Sequence, residues 1–384
     1  MSINSKVNRN RSCRVVHLTS VHRASDTRIF HRECKTLARA GYDVTLIAPH
    51  AEGDLTQDGV KLRALSLPRN RRERMTRTIW EVYAAARRED AEIYHFHDPE
   101  LMPVGMLLKL RGKKVIYDVH EDYPGTVESK EWLPAALRGP VGLAMRIGEA
   151  GFCAAFDCVI AATPTIAQKF PPGKARLVQN FPGIHELDCS DSPPHEEREP
   201  IAAYVGALSD LRGLREMRQA VELAAKEIPI RLVTAGKVIA GAKAEFAGDH
   251  GSGRVDHRGL LSRSQVAELL GQARVGLVML HPTANYVSAQ PVKLFEYMST
   301  GLPVVASDFP FLRRIMESVG CGLVVDPLNP AAIAEALVWL LRHPAQAVEM
   351  GRKGKRAVAE TYNWERESVR LLAAYTELQT SGRD

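Results

Sequence analysis

Residues 275–307 read VGLVMLHPTANYVSAQPVKLFEYMSTGLPVVAS. An apolar run, VGLVML, leads through a polar connection into an amphipathic segment, and a second apolar run, PVVAS, follows. Strand, helix and strand in that order make a βαβ unit of a parallel sheet. Pro291 suits the first helical position, where a missing N–H costs nothing. Gly301 suits the position that ends the helix, and Pro303 prevents continuation. Free N–H groups at the helix start, together with the helix dipole, favour a bound phosphate. Lys293 in the first turn adds a full positive charge. Glu296 lies three residues on, roughly 4.5 Å along the axis. From there a carboxylate can accept two hydrogen bonds from a ribose diol, the division of labour found in dinucleotide-binding folds. Read from these residues alone, a surface Lys–Glu pair worth a few tenths of a kcal/mol is the plainer alternative.

The same alternation runs through the whole chain. RVVHL, VTLIA, VKLRALSL, AEIYHF, KVIYDVH, CVIAAT and ARLVQNF read as strands up to about Phe181. Phe30, Cys34, Leu37 and Ala38 form the buried stripe of the first helix, with Gly41 placed to cap it. Residues 183–200, GIHELDCSDSPPHEEREP, are acidic, contain prolines and lack an apolar period, which suggests a linker. Beyond them the pattern restarts with IAAYVG, IRLVTAG, VGLVML, PVVAS and GLVV. The expected architecture is α/β, with two doubly wound Rossmann-like domains, residues 1–182 and 201–363, facing across a cleft. Ligands in such sheets bind beyond the carboxyl ends of the strands. A last helix in residues 364–384 carries Val369, Leu372, Ala373 and Leu378 and is expected to cross back to the first domain.

The 384 residues suit two domains better than one. Against 45 Asp+Glu there are 51 Lys+Arg, a net charge of +6 that suits an anionic ligand or membrane surface. Six scattered cysteines without paired spacing imply a reduced, cytoplasmic chain. No secretory leader and no membrane span of roughly 20 apolar residues is read, so membrane contact is expected to be peripheral. No GxGxxG follows either first strand, which argues against a nicotinamide dehydrogenase. The basic cluster lacks interleaved aromatics, which argues against nucleic acid.

Several segments fall in the order and approximate spacing of one family. They are YVGALSDLRG (204–213), LVTAG (232–236), HRGLLSRSQVAELLGQARVGLVML (257–280), the helix containing Lys293 and Glu296, and YNWE (362–365). The chain resembles the retaining glycosyltransferases of family 4, which have the GT-B fold. SVHRASDTRIFHRECKTLARAGYDVTLIAP and IYHFHDPELMPVG…KKVIYDVHEDYP look like the amino-terminal half of a branch that modifies cell-surface polysaccharides. The resemblance implies a nucleotide diphosphate sugar as donor and no further cofactor. It implies donor-binding positions at Gly206, Arg212, Gly236, Ser288, Lys293, Leu294 and Glu296. Of these, Arg212, Lys293 and Glu296 join His120 as the catalytic set, His120 contacting the donor sugar near the reacting carbon. Front-face substitution with retention is the mechanism the resemblance carries. The sequence departs from the family in three places. Ser288 stands where a first glutamate is common, eight residues before Glu296. Ala207 stands where an arginine often follows the strand, leaving Arg212 as the basic residue of that loop. TSVHRASDTRIF replaces the amino-terminal glycine-rich loop.

Histidines and carboxylates gather at the strand ends of the first half. His95 and His97 share a strand face, Asp98 follows, and His120 ends the next strand. A metal needs three or four convergent ligands. No closed set is legible, so none is expected. Sugar-hydroxyl binding and purely structural roles both fit these groups. Asp26, Arg28, His97, Asp98 and Glu121 are the candidate acceptor-side residues, with helix capping the first reading for Asp26. Arg69, Arg71, Arg72, Arg74 and Arg77, with Met75 and Trp80, suit an anionic bilayer, each arginine contributing about 1 kcal/mol. A solvated helix packed by Ile79, Val82, Tyr83 and Ala86 is the alternative. The leading functional expectation is transfer of a hexose-type sugar to a saccharide or lipid-linked acceptor. A nucleotide-sugar epimerase and a non-catalytic binding protein on the same scaffold are the competing readings.

Overall fold

The computed structural model describes residues 12–121, 134–239 and 253–380, which fall into two units. One unit runs to Asn180 and takes in the chain again from Glu367; the other is Phe181–Arg366.

The first unit is built on eight strands: β1 (Arg14–Leu18), β2 (Asp43–Pro49), β3 (Leu55–Gln57), β4 (Val60–Leu65), β5 (Ile93–Phe96), β6 (Lys114–Val119), β7 (Cys158–Ala161) and β8 (Ala175–Leu177). Their order in the sheet is β3-β4-β2-β1-β5-β6-β7-β8. All neighbours are parallel except β3, which runs antiparallel to β4. The central strands are buried on both faces, so they read as unbroken apolar runs. The second unit holds β9 (Ile201–Val205), β10 (Arg231–Ala235), β11 (Val255–His257), β12 (Val275–Val278), β13 (Val304–Ser307) and β14 (Gly322–Val325). They form an all-parallel sheet ordered β11-β10-β9-β12-β13-β14. In each sheet the winding reverses once, between β1 and β5 and between β9 and β12. The carboxyl ends at such switch points are where doubly wound sheets take their ligands.

Three local expectations change. Pro291 does not occupy the first helical position: the helix is Val292–Ser299, with Pro291 capping it from extended backbone. The reason is the first-turn hydrogen bond from Leu294 N–H to the Pro291 carbonyl, which makes Pro291 the boundary residue. Gly301, at φ +75°, ends the helix as expected. The final helix, Trp364–Thr380, buries Leu371, Ala374, Tyr375 and Leu378, while Val369 is 66% exposed. That stripe keeps helical spacing and includes Leu378 as read, while Leu371 and Ala374 take the buried places expected of Leu372 and Ala373. Residues 183–200 are bound to the second unit. Leu187 enters its core, Cys189 Sγ donates to the Ala267 carbonyl, and His195 Nε2 meets the Arg274 carbonyl at 2.8 Å.

Candidate functional site

In the second unit the site grows from the ends of β9 and β10. Gly206 and Gly236 sit at φ +140° and +141°, where a side chain is strained. A Cβ on Gly236 would lie 2.0 Å from the Gly206 carbonyl oxygen. A Cβ on Gly206 would lie 3.0 Å from Lys293 Nζ. The two glycines thus let the turn after β9 close directly onto the amino end of the helix Val292–Ser299.

Lys293 Nζ rests 3.6 Å from the centroid of the Tyr204 ring. It is buried and has no hydrogen-bond partner among the described residues. Gln290 Oε1, three residues earlier, is likewise a buried acceptor without a donor. Burial, reinforced by the Arg212 charge, pushes the Lys293 pKa well below the ordinary lysine value, and Glu296 only partly opposes this. Arg212 ends a 3₁₀ turn, Asp210–Arg212, ahead of the helix Leu214–Ala224. Its Nε donates to Tyr286 Oη at 3.3 Å. Two cationic side chains therefore share a wall of tyrosines without a carboxylate of their own.

Glu296 is 8% exposed and its Oε1 accepts from Arg263 Nη1 at 2.9 Å. Arg263 also donates to Glu186 Oε1 at 2.6 Å. The carboxylate expected to meet a ribose diol is thus held in an ion-pair chain, and Arg263 and Glu186 are residues the sequence reading missed. A basic residue at the first position of a helix, facing a buried acid, was the available signal. Ser288 is exposed, its Oγ donating weakly to the Ala284 carbonyl at 3.4 Å. Leu294 is fully buried in the apolar core and its N–H is used by Pro291, so the structure places it in packing.

In the first unit the expected acceptor-side residues form two layers. The lower layer is buried. Arg28 donates from Nε and Nη2 to both oxygens of Asp118, at 2.9 and 2.8 Å, and from Nη1 to the Val178 carbonyl. Burial works against the Asp118 carboxylate, but Arg28 and His120 outweigh it and hold its pKa well below the usual range. His97 Nδ1 lies 3.2 Å from Asp118 Oδ2. Asp98 accepts from Thr19 Oγ1 at 2.8 Å and Ser20 N–H at 2.6 Å. Arg28, His97 and Asp98 are therefore not presented to solvent, because each closes a buried polar group at a strand or helix end.

The upper layer reaches the surface. His120 Nε2 meets Asp118 Oδ2 at 2.8 Å with 13% of its side chain exposed, and Glu121 is exposed. Asp26 caps the π-helical turn Thr27–Cys34, accepting from Arg28 N–H and Ile29 N–H. His22, missed from the sequence, stands 3.4 Å from both Asp26 Oδ2 and Asp98 Oδ1. The imidazole rings of His22 and His120 lie 5.4 Å apart.

Two family models match this chain: "Glycosyl transferase 4-like domain" over residues 27–180 and "Glycosyl transferases group 1" over residues 199–343. Together they cover most of both units. Each unit thus carries a domain that matches a glycosyltransferase family, and the fold is GT-B. The D-rhamnosyltransferase WbpZ of Pseudomonas aeruginosa is 30% identical over 158 residues, covering 40% of this chain and 39% of that protein. A D-inositol 3-phosphate glycosyltransferase of Corynebacterium urealyticum is 26% identical over 232 residues, covering 56% and 49%. The match thus spans half or less of these curated relatives. Among solved structures, sucrose-phosphate synthase from Thermosynechococcus elongatus superposes with TM-score 0.76 at 20% identity, covering 97% of this chain and 100% of that one. HepE of Anabaena, in complex with UDP and glucose, gives 0.72 at 12% identity, covering 95% and 100%. At these identities the likeness speaks for the GT-B fold alone. Among the described residues of this glycosyltransferase-family chain, no helix is long and apolar enough to cross a membrane.

Proposed function

We propose that the protein transfers a hexose-type sugar from a nucleotide diphosphate sugar to a saccharide or lipid-linked saccharide, with retention at the anomeric carbon. The observation that carries this reading is Lys293. A buried ammonium with no acceptor, next to a second cation and a helix amino end, is costly unless an anion arrives. A diphosphate supplies that anion. In this reading Lys293 and Arg212 neutralise the diphosphate, so its departure needs no metal at that position. The glycines at 206 and 236 allow backbone to approach it, and Glu296, positioned by Arg263, takes the ribose. Within the first unit, His120, held by Asp118, is the catalytic histidine of this reading, and His22, Asp26 and Glu121 form the acceptor surface above the buried Arg28, His97 and Asp98. UDP in the HepE complex and the sugar transfers named for the curated relatives support a donor of this class.

The proposed setting is the cytoplasmic face of a membrane, held peripherally. Arg69, Arg71, Arg72 and Arg77 are exposed, as are Met75 (44%) and Trp80 (63%) beside them. Arg74 is paired with Glu100 at 3.1 Å. The test of function is incubation with labelled nucleotide sugars and a panel of saccharide acceptors. Transfer of label to an acceptor with release of nucleoside diphosphate is expected. Appearance of a free epimer, or tight binding without turnover of any donor, would overturn the reading.

A further inference from the structure

Beneath the His97–Asp118 pair lies a second cluster that the proposed transfer does not use. His17 of β1, His95 of β5, His97 just after it, and Glu33 of the π-helical turn are all fully buried. His17 and His95 are register partners on adjacent strands. Each of the four residues offers one ligand atom, and those atoms all lie within 4.8 Å of one another. Glu33 Oε2 stands 3.9 Å from His17 Nδ1, 4.0 Å from His95 Nδ1 and 3.9 Å from His97 Nε2. His17 Nδ1 and His97 Nε2 are 3.0 Å apart.

Those spacings are too long for hydrogen bonds from Glu33, and neither of its oxygens has one among the described residues. Arg28 Nε forms an ion pair with Glu33 Oε1 at 3.0 Å while donating to Asp118 Oδ2, which leaves Glu33 Oε2 to face the three histidines. His95 Nδ1 meets the Tyr375 hydroxyl at 2.8 Å, and its Nε2, 3.9 Å from Asp118 Oδ2, has no hydrogen-bond partner among the described residues. Four groups at about 2.0–2.1 Å from one tetrahedral ion stand about 3.3–3.4 Å apart. The observed separations bracket that value, so small inward movements would close the set.

We propose that His17, Glu33, His95 and His97 bind one divalent transition-metal ion of the zinc class, in a closed structural site. Three imidazoles and a carboxylate are a donor set that such ions accept. With every ligand buried there is no open position for water, so the ion staples β1, β5 and the π-helical turn and takes no part in sugar transfer. The surroundings suit the role. His97 Nδ1–H donates to Asp118, itself clamped by Arg28, which is the carboxylate support that orients a ligating histidine. His17 Nε2 faces the Tyr375 hydroxyl at 3.2 Å, with Tyr375 supplied by the final helix.

The test is metal content of the full chain, loaded with zinc and desalted, measured by plasma mass spectrometry beside the His95→Gln and Glu33→Gln variants. One zinc per wild-type chain is expected, with a loss of at least tenfold in zinc affinity in either variant. Cobalt-loaded wild type should show the intense visible bands of a four-coordinate ion, which adventitious surface binding does not give. The thermal midpoint should fall when a strong chelator strips the metal. Wild type carrying no stoichiometric zinc, or a weak six-coordinate cobalt spectrum, would overturn the proposal whether or not the variants fold. So would folded variants that retain zinc at the wild-type affinity.

Discussion

At the scale of single residues, Lys293 links charge, burial and ligand binding. Its folded pKa is depressed from 10.5, so the unfolded chain binds more protons between the two values. Stability of the free protein should therefore rise with pH through that window, and the slope should vanish in Lys293→Met. Removing the unpaired ammonium should also stabilise the free protein by about 1 kcal/mol in urea unfolding. A bound diphosphate restores the lysine's charge, so binding takes up a proton wherever the free group is neutral. Between the depressed pKa of Lys293 in the free protein and its pKa in the complex, with the terminal phosphate fully ionised, affinity should fall by up to tenfold per pH unit. Titration calorimetry in buffers of different ionisation heat reads that proton directly. Arg28 obeys the opposite logic. Its charge is matched, and Arg28→Ala strands Asp118 in the interior, at an expected cost of about 3–5 kcal/mol by urea unfolding.

At the scale of elements, the turn after β9 and the helix Val292–Ser299 are fitted to each other through glycine. Gly236→Ala would drive a Cβ into the Gly206 carbonyl at a positive φ, with an expected loss of at least about 2 kcal/mol in chemical denaturation. Elements of this kind are legible where their cause is local. Parallel strands buried on both faces announce themselves as apolar runs, and Asp26 reads as a cap because its partners are two and three residues away. The three-residue edge strands β3 (LTQ) and β11 (VDH) lack such a run and escaped notice. Long-range partners are invisible in the same way. Arg28 meets Asp118 ninety residues on, and Glu296 is engaged by Arg263 from 33 residues before. Glu296 therefore looked free for a ribose when read from its own helix, and nothing local singles out Glu33 within the first helix.

At the scale of the whole molecule, two units with separate sheets imply separable responses. Nucleoside diphosphate should slow amide hydrogen exchange in peptides spanning Gly206, Arg212, Gly236 and the helix Val292–Ser299 of the second unit. Chelation of a zinc-loaded chain should instead speed exchange around β1, β5 and the π-helical turn of the first. The account rests most heavily on the anion site at Lys293. It is tested by titrating wild type and Lys293→Met with a panel of nucleoside diphosphates at one pH and salt concentration. Saturable binding to wild type, weakened at least tenfold in a variant that is folded and no less stable, is the expected result. Equal affinity in the two proteins, or no binding of any nucleoside diphosphate to wild type, would contradict it.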